Sequence, residues 1–258
     1  MNGRSYAKII EQDRLCEGIF RLRLAFSDTD SIRPGQFFNL YLDDGRHLLP
    51  RPISVCEAEG GVLTLVYRVV GFGTEAISKM LPGESLWILG PLGNGYSLDW
   101  LKEDSSVLAV GGGLGIPPML FLTHALAKQG ISVGTVLGFR DEGFLLPEFE
   151  EAAPSLYLSS DSGRIGEKGT VIDLLETHHL KPDVIFSCGP LPMLRALKDF
   201  AAARQIRLFV SLEERMACGI GACLACVCST TELDDHSRVH NRRVCKDGPV
   251  FDAEEVAL

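Results

Sequence analysis

Four cysteines in the last fifth of this chain have the type and spacing for metal chemistry. Cys218, Cys223 and Cys226 form a C-x4-C-x2-C run, and Cys245 stands alone further on. This plant-type spacing holds a [2Fe–2S] cluster on four thiolates. The intervening residues (Gly219, Ile220, Gly221, Ala222, Leu224 and Ala225) are small enough to wrap tightly around inorganic sulfide. Such a cluster moves one electron at a time, so the pattern implies a donor and an acceptor. Zinc is the alternative occupant, because four thiolates also make structural zinc sites. Structural zinc usually pairs two short knuckles, and Cys245 has no second cysteine beside it. Cys228 is a fifth thiol, and the set is complete without it.

Three other motifs have residue types suited to binding phosphate or a planar ring. Gly111, Gly112, Gly113 and Gly115 lead into Pro117 and Pro118, giving G-x-G-x-x-P from Gly113 to Pro118. The loop follows an apolar run and opens a helical pattern. Glycines there let a pyrophosphate approach the backbone, and the first N–H groups of the helix favour an anion. A tight strand–helix turn without a ligand is the plainer alternative. Cys188, Gly189 and Pro190 follow another apolar run, at a strand end where open α/β sheets place ligands; a buried, inert cysteine is the alternative. In the first third, Arg51-Pro52-Ile53-Ser54 offers a planar cation for phosphate and a hydroxyl for a ring. Val66, Tyr67 and Arg68, followed by Gly73 and Thr74, offer a second such set: an aromatic ring, a cation, and backbone N–H groups at a turn. Arg51 alone also fits a surface charge at a strand start. The six histidines show neither a metal-ligand nor a triad pattern, His178 and His179 read as solvated helix-end residues, and no nucleophile elbow is present.

These residues need a scaffold. Residues 1–99 read as β structure: Phe20, Leu22, Leu24 and Phe26 alternate with wet positions, and 36–42, 62–70 and 85–89 form short runs bounded by Pro and Gly. Short strands between turn signals predict a small antiparallel barrel. From 100 to 211, apolar runs alternate with helical patterns at 117–128, 171–176 and 193–204, which predicts a parallel sheet covered by helices. Residues 212–258 carry the thiols and form a third, small unit. The composition is 46% hydrophobic and 23% charged, with a net charge of −9. That charge excludes nucleic acid as the expected partner. The apolar stretch 107–122 is too short and too interrupted by Gly and Pro to span a membrane. The start, Met1-Asn2-Gly3-Arg4-Ser5-Tyr6, has no apolar leader pattern, and the other four of the eight cysteines, Cys16, Cys56, Cys188 and Cys228, stand singly or beside the run, which suits a reducing cytoplasm.

The order Arg51–Ser54, glycine loop, Cys188–Pro190 and C-terminal thiols resembles the ferredoxin–NADP reductase superfamily. The stretch Glu213–Cys228, together with 90–95 and 247–251, is similar to its electron-transfer subunits of class 1B dihydroorotate dehydrogenase. The resemblance spans nearly the whole chain. It implies a β-barrel that binds FAD through Arg51–Ser54, Val66–Arg68 and Gly73–Thr74, an NAD-binding α/β domain, and a cluster on Cys218, Cys223, Cys226 and Cys245. It further implies a partner, an FMN-containing catalytic subunit that oxidises dihydroorotate to orotate in pyrimidine synthesis, in a two-plus-two heterotetramer. Electron counting then gives the order FMN, cluster, FAD, NAD+, because a flavin converts one-electron to two-electron traffic. Ser54 is the candidate catalytic residue, near flavin N5. Asp141 and Glu142 favour NAD over NADP, with Arg140 beside them. A ferredoxin-linked NADP reductase or sulfide dehydrogenase subunit shares this domain order; a zinc-bearing scaffold is the non-catalytic alternative.

Overall fold

The computed structural model describes residues 4–43, 45–46, 48–233 and 238–258. His47 and His236, and the first three residues of the start, lie outside the described residues.

Six strands close into an antiparallel barrel: β1 (Ser5–Cys16), β2 (Ile19–Ala25), β3 (Phe37–Tyr41), β4 (Arg51–Glu59), β5 (Val62–Arg68) and β6 (Ser85–Leu92). Around the barrel they run β1-β2-β5-β4-β3-β6. Alternation decides the faces: Leu22, Leu24, Phe38, Leu40, Leu63 and Leu65 point inward and are fully buried. Two expectations need correction. Gly73 and Thr74 do not sit in a turn but open a short helix, α1 (Phe72–Ser78). The Thr74 hydroxyl organises its start, accepting from Val70 N–H at 3.0 Å and donating to the Gly71 carbonyl at 3.0 Å. The last barrel strand does not stop at Leu89 but continues through Pro91 to Leu92.

The second layer system is a seven-stranded sheet, ordered β10-β9-β8-β7-β11-β12-β15. Its strands are β7 (Val107–Gly112), β8 (Val133–Phe139), β9 (Ser155–Ser160), β10 (Glu167–Lys168), β11 (Val184–Cys188), β12 (Arg207–Ser211) and β15 (Val250–Asp252). Helices α2 (Ile116–Lys128), α3 (Leu146–Ala152), α4 (Val171–Thr177) and α5 (Leu191–Arg204) provide the crossovers and cover. Strands buried on both faces read as continuous apolar runs, as at 107–110 and 184–186. The sheet is mixed, not wholly parallel: β15, from the thiol-bearing segment, adds antiparallel to β12. Burial of Val250 and Phe251 drives that addition, so the C-terminal segment is knitted into the sheet. The remaining strands, β13 (Val227–Ser229) and β14 (Asn241–Arg243), form a small hairpin.

Helix α2 packs on the outside of β4. Glu57 and Glu59 on the barrel pair with His124 and Lys128 on this helix. The hydrogen bond to Glu57 raises the His124 pKa above its ordinary value against the opposing effect of burial. These contacts set the glycine loop, which precedes α2, against the barrel.

Candidate functional site

The thiol loop is organised by two left-handed glycines. Gly219 (φ 67°) and Gly221 (φ 85°) turn successive N–H groups toward sulfur. Ile220 and Ala222 donate to Cys218 Sγ at 3.4 and 3.3 Å, and Gly221 donates to Cys245 Sγ at 3.1 Å. The thiols lie close enough to act on one another: Cys223 on Cys218, and both Cys226 and Cys218 on Cys245. Burial acts to raise the Cys218 pKa, but the N–H groups and Cys223 outweigh it and hold the thiol at about 6. Cys245 lacks that surplus of donors; burial, then Cys226, push it up to about 12. Among the described residues, no three His, Cys, Asp or Glu side chains are gathered around a single-ion position. Four neighbouring thiols with N–H donors aimed at sulfur fit the thiolate ligands of a [2Fe–2S] cluster. Cys228 lies on β13, and burial raises its pKa.

The loop is anchored from both sides. Arg243 forks onto Asp247 at 2.9 Å and donates to the Gly221 carbonyl at 3.2 Å. The same guanidinium holds the Asp247 carboxyl below its ordinary pKa. On the barrel side the support is β3. Phe38 and Leu40 face inward, so Phe37 and Asn39 face out. Phe37 belongs to the apolar cluster that includes Cys226, Val244 and Cys245. Asn39 Nδ2 donates to the Cys218 carbonyl at 3.2 Å, and a Cβ on Gly219 would meet that amide at 2.3 Å. Asn39 is fully buried, and its Oδ1 has no hydrogen-bond partner among the described residues. Leaving such an acceptor unpaired costs about 1–3 kcal/mol.

The barrel candidates lie on the neighbouring strand. Phe37 pairs with Ser54, Asn39 with Pro52, and Leu40 with Arg51. Directly opposed residues share a face, so Ser54 and Pro52 stand on the outer face with Phe37 and Asn39. A Cβ at Gly73 would lie 2.0 Å from Arg51 Nε, so only glycine admits the guanidinium this close to the start of α1. That arrangement fits a diphosphate. Tyr67 does not join it: the ring is 1% exposed in the barrel core, and its hydroxyl donates to Gln12 Oε1 at 3.1 Å. Val66 points the other way, into the core under α2. Arg68, exposed at the end of β5, faces the cleft between barrel and sheet.

That cleft is about 920 Å³ and lies at the C-terminal ends of β7, β8, β9 and β11. It is lined by Gly112, Gly113 and Pro190 from the predicted set, with Arg140, Asp141 and Glu142. Gly111, Gly115, Pro118, Cys188 and Gly189 are buried beneath it. Glycine is required here for packing: a Cβ at Gly115 would meet the Cys188 carbonyl at 2.1 Å, and one at Gly112 would meet Met193 Sδ at 2.5 Å. Cys188 is buried, and burial raises its pKa strongly. Ser159 and Asp161 also line the cleft, and sequence reading missed both. The strand-end rule applied to β9 would have found them. Ser159 Oγ is a buried orphan among the described residues, the kind of polar group a dinucleotide satisfies. Asn39 carried no local signal, because its partner lies 179 residues away.

Barrel, dinucleotide-type cleft and paired thiols define an electron-transferring oxidoreductase of the ferredoxin-reductase fold. Residues 213–257 match the iron–sulfur cluster binding domain of dihydroorotate dehydrogenase B. Over 99% of its length the chain is 40% identical to the electron transfer subunit of dihydroorotate dehydrogenase B (NAD(+)) from Bacillus pumilus, covering 98% of that protein. The Geobacillus kaustophilus subunit is also 40% identical, with both chains covered in full. Among solved structures, an NADH-dependent reduced ferredoxin-NADP oxidoreductase superposes with a TM-score of 0.86 at 28% identity, covering all of this chain and 91% of the other. The chain belongs to the family of electron-transfer subunits of NAD(+)-dependent dihydroorotate dehydrogenase B. It therefore works with a catalytic subunit. Among the described residues, no helix is long and apolar enough to cross a membrane.

Proposed function

We propose that this chain carries electrons from an FMN-bearing catalytic subunit, through a [2Fe–2S] cluster and FAD, to NAD+, while the partner oxidises dihydroorotate to orotate. The thiols seated on β3, the strand that pairs with Arg51–Ser54, carry this reading. Cys218, Cys223, Cys226 and Cys245 hold the cluster, and the N–H groups of 220, 221 and 222 stabilise negative charge on its sulfurs. Arg51, beside Gly73, and Arg68 neutralise the FAD diphosphate, and Ser54 presents its hydroxyl to the flavin. Bound FAD supplies the exchange between one-electron and two-electron carriers. Gly111–Gly115 and Cys188–Pro190 bind the nicotinamide dinucleotide in the cleft. Asp141, Glu142 and Asp161 line it beside Arg140, and their excess of negative charge favours NAD over a 2′-phosphorylated dinucleotide.

The partner face follows from exposure. Cys223 is the outermost thiol, and exposed apolar Ile220, Leu224 and Val227 surround it. Docking there brings the partner's FMN near the cluster, in a cytoplasmic two-plus-two heterotetramer. The test is copurification with the catalytic subunit followed by dihydroorotate-dependent NAD+ reduction. The expected result is reduction that requires both chains and prefers NAD+ over NADP+. Equal reduction by the partner alone, or a preference for NADP+, overturns the reading.

A further inference from the structure

The outer face of β3 links two sites that lie far apart in sequence. On one side, Asn39 stands opposite Pro52 in the register that also pairs Phe37 with Ser54. On the other, its Nδ2 holds the Cys218 carbonyl, and the peptide between Cys218 and Gly219 lies against its amide plane. The fully buried Oδ1 has no partner among the described residues, so the amide is held for the single bond its Nδ2 makes to the Cys218 carbonyl. An amide kept in such a place points to a role other than stability.

We propose that Asn39 is a positioning residue for electron transfer between flavin and cluster: it locks the Cys218 end of the thiol loop to the strand beside Arg51–Ser54 and supplies the hydrogen-bonded route between them. This rests on the function proposed above. The lock acts in two ways. It fixes the loop against sliding along the barrel, so the separation of the two cofactors is set by a strand pairing and one hydrogen bond. It also polarises the Cys218 carbonyl, next to the ligand sulfur, which tunes the electron affinity of that thiolate pair.

The test uses the full chain with flavin and iron bound. Asn39→Leu removes both amide atoms at similar volume, and Asn39→Asp keeps the shape while losing the donor. After anaerobic mixing with NADH, flavin bleaching is followed by absorbance, and cluster reduction by freeze-quench electron paramagnetic resonance. Expected are flavin and iron contents equal to those of the unmodified chain, unchanged flavin bleaching, and cluster reduction slowed about tenfold to a hundredfold. In Asn39→Leu, which adds no charge, a shifted midpoint potential of the cluster accompanies the slower rate, which a merely structural residue would not produce. Unchanged reduction rate and potential in either loaded variant overturns the proposal. Loss of the cluster or flavin from both variants also overturns it, since Asn39 would then be a folding element of the loop. An unmodified chain that binds neither flavin nor iron fails the functional reading instead.

Discussion

Two glycine-built loops serve this molecule, and glycine works differently in each. At Gly112 and Gly115 the missing Cβ is a matter of space: a side-chain carbon would collide with Met193 and with the Cys188 carbonyl. That loop brings two strand ends together so that a ligand can reach backbone N–H groups. At Gly219 and Gly221 the positive φ matters as well, because it turns N–H groups onto sulfur. The first loop is built by close packing, and the second by close packing and polarity together. One should respond to added volume with lost fold and dinucleotide affinity, the other to altered polarity with a shifted cluster.

The largest effect should come from the thiols themselves. Cys245→Ser removes one member of the buried pair, and iron content and cluster absorbance should fall to near zero while flavin binding persists; metal analysis with visible spectra checks this. Next is Gly115→Ala, whose methyl group meets backbone that cannot swing aside. The melting temperature should drop by roughly 6–10 °C, and the KM for NADH should rise. Gly221→Ala forces a left-handed alanine at a cost of about 1–2 kcal/mol and sets its methyl 2.8 Å from Lys246 Cβ, so the cluster should survive at a lower melting temperature. The smallest effect tests the seam between barrel and sheet. The His124 pKa is raised by Glu57, so the pair stabilises the fold fully below the unfolded histidine pKa, and the benefit is lost as pH rises through the folded value. His124→Gln should lower the melting temperature by about 2 °C near pH 5.5 and hardly at all near pH 9.

Much of this was legible in sequence where the signal is local. Strand-then-glycine-then-helix at 107–128 is written in hydrophobic period and turn residues, and the thiol spacing speaks for itself. What stayed hidden depended on distant pairing. Nothing near Val250–Asp252 says that it completes a sheet begun at 107, because two apolar residues before an aspartate fit a loop as well as an edge strand. The motif offers Tyr67 as a ring to stack on or hydrogen-bond a cofactor, yet the parity of β5 turns it into the barrel with Leu63 and Leu65. Helix α1 was masked by two glycines that usually mark turns, and Thr74 reverses that reading by organising the first turn. The contact between Asn39 and Cys218 joins segments that share no local pattern.

Anaerobic addition of NADH to the purified full chain, monitored together by absorbance and low-temperature electron paramagnetic resonance, decides whether electrons pass from flavin to cluster. Flavin bleaching followed by a reduced [2Fe–2S] signal is expected, with iron present and zinc absent. A chain that carries zinc without iron, or whose flavin is reduced while no cluster signal ever develops, contradicts that transfer.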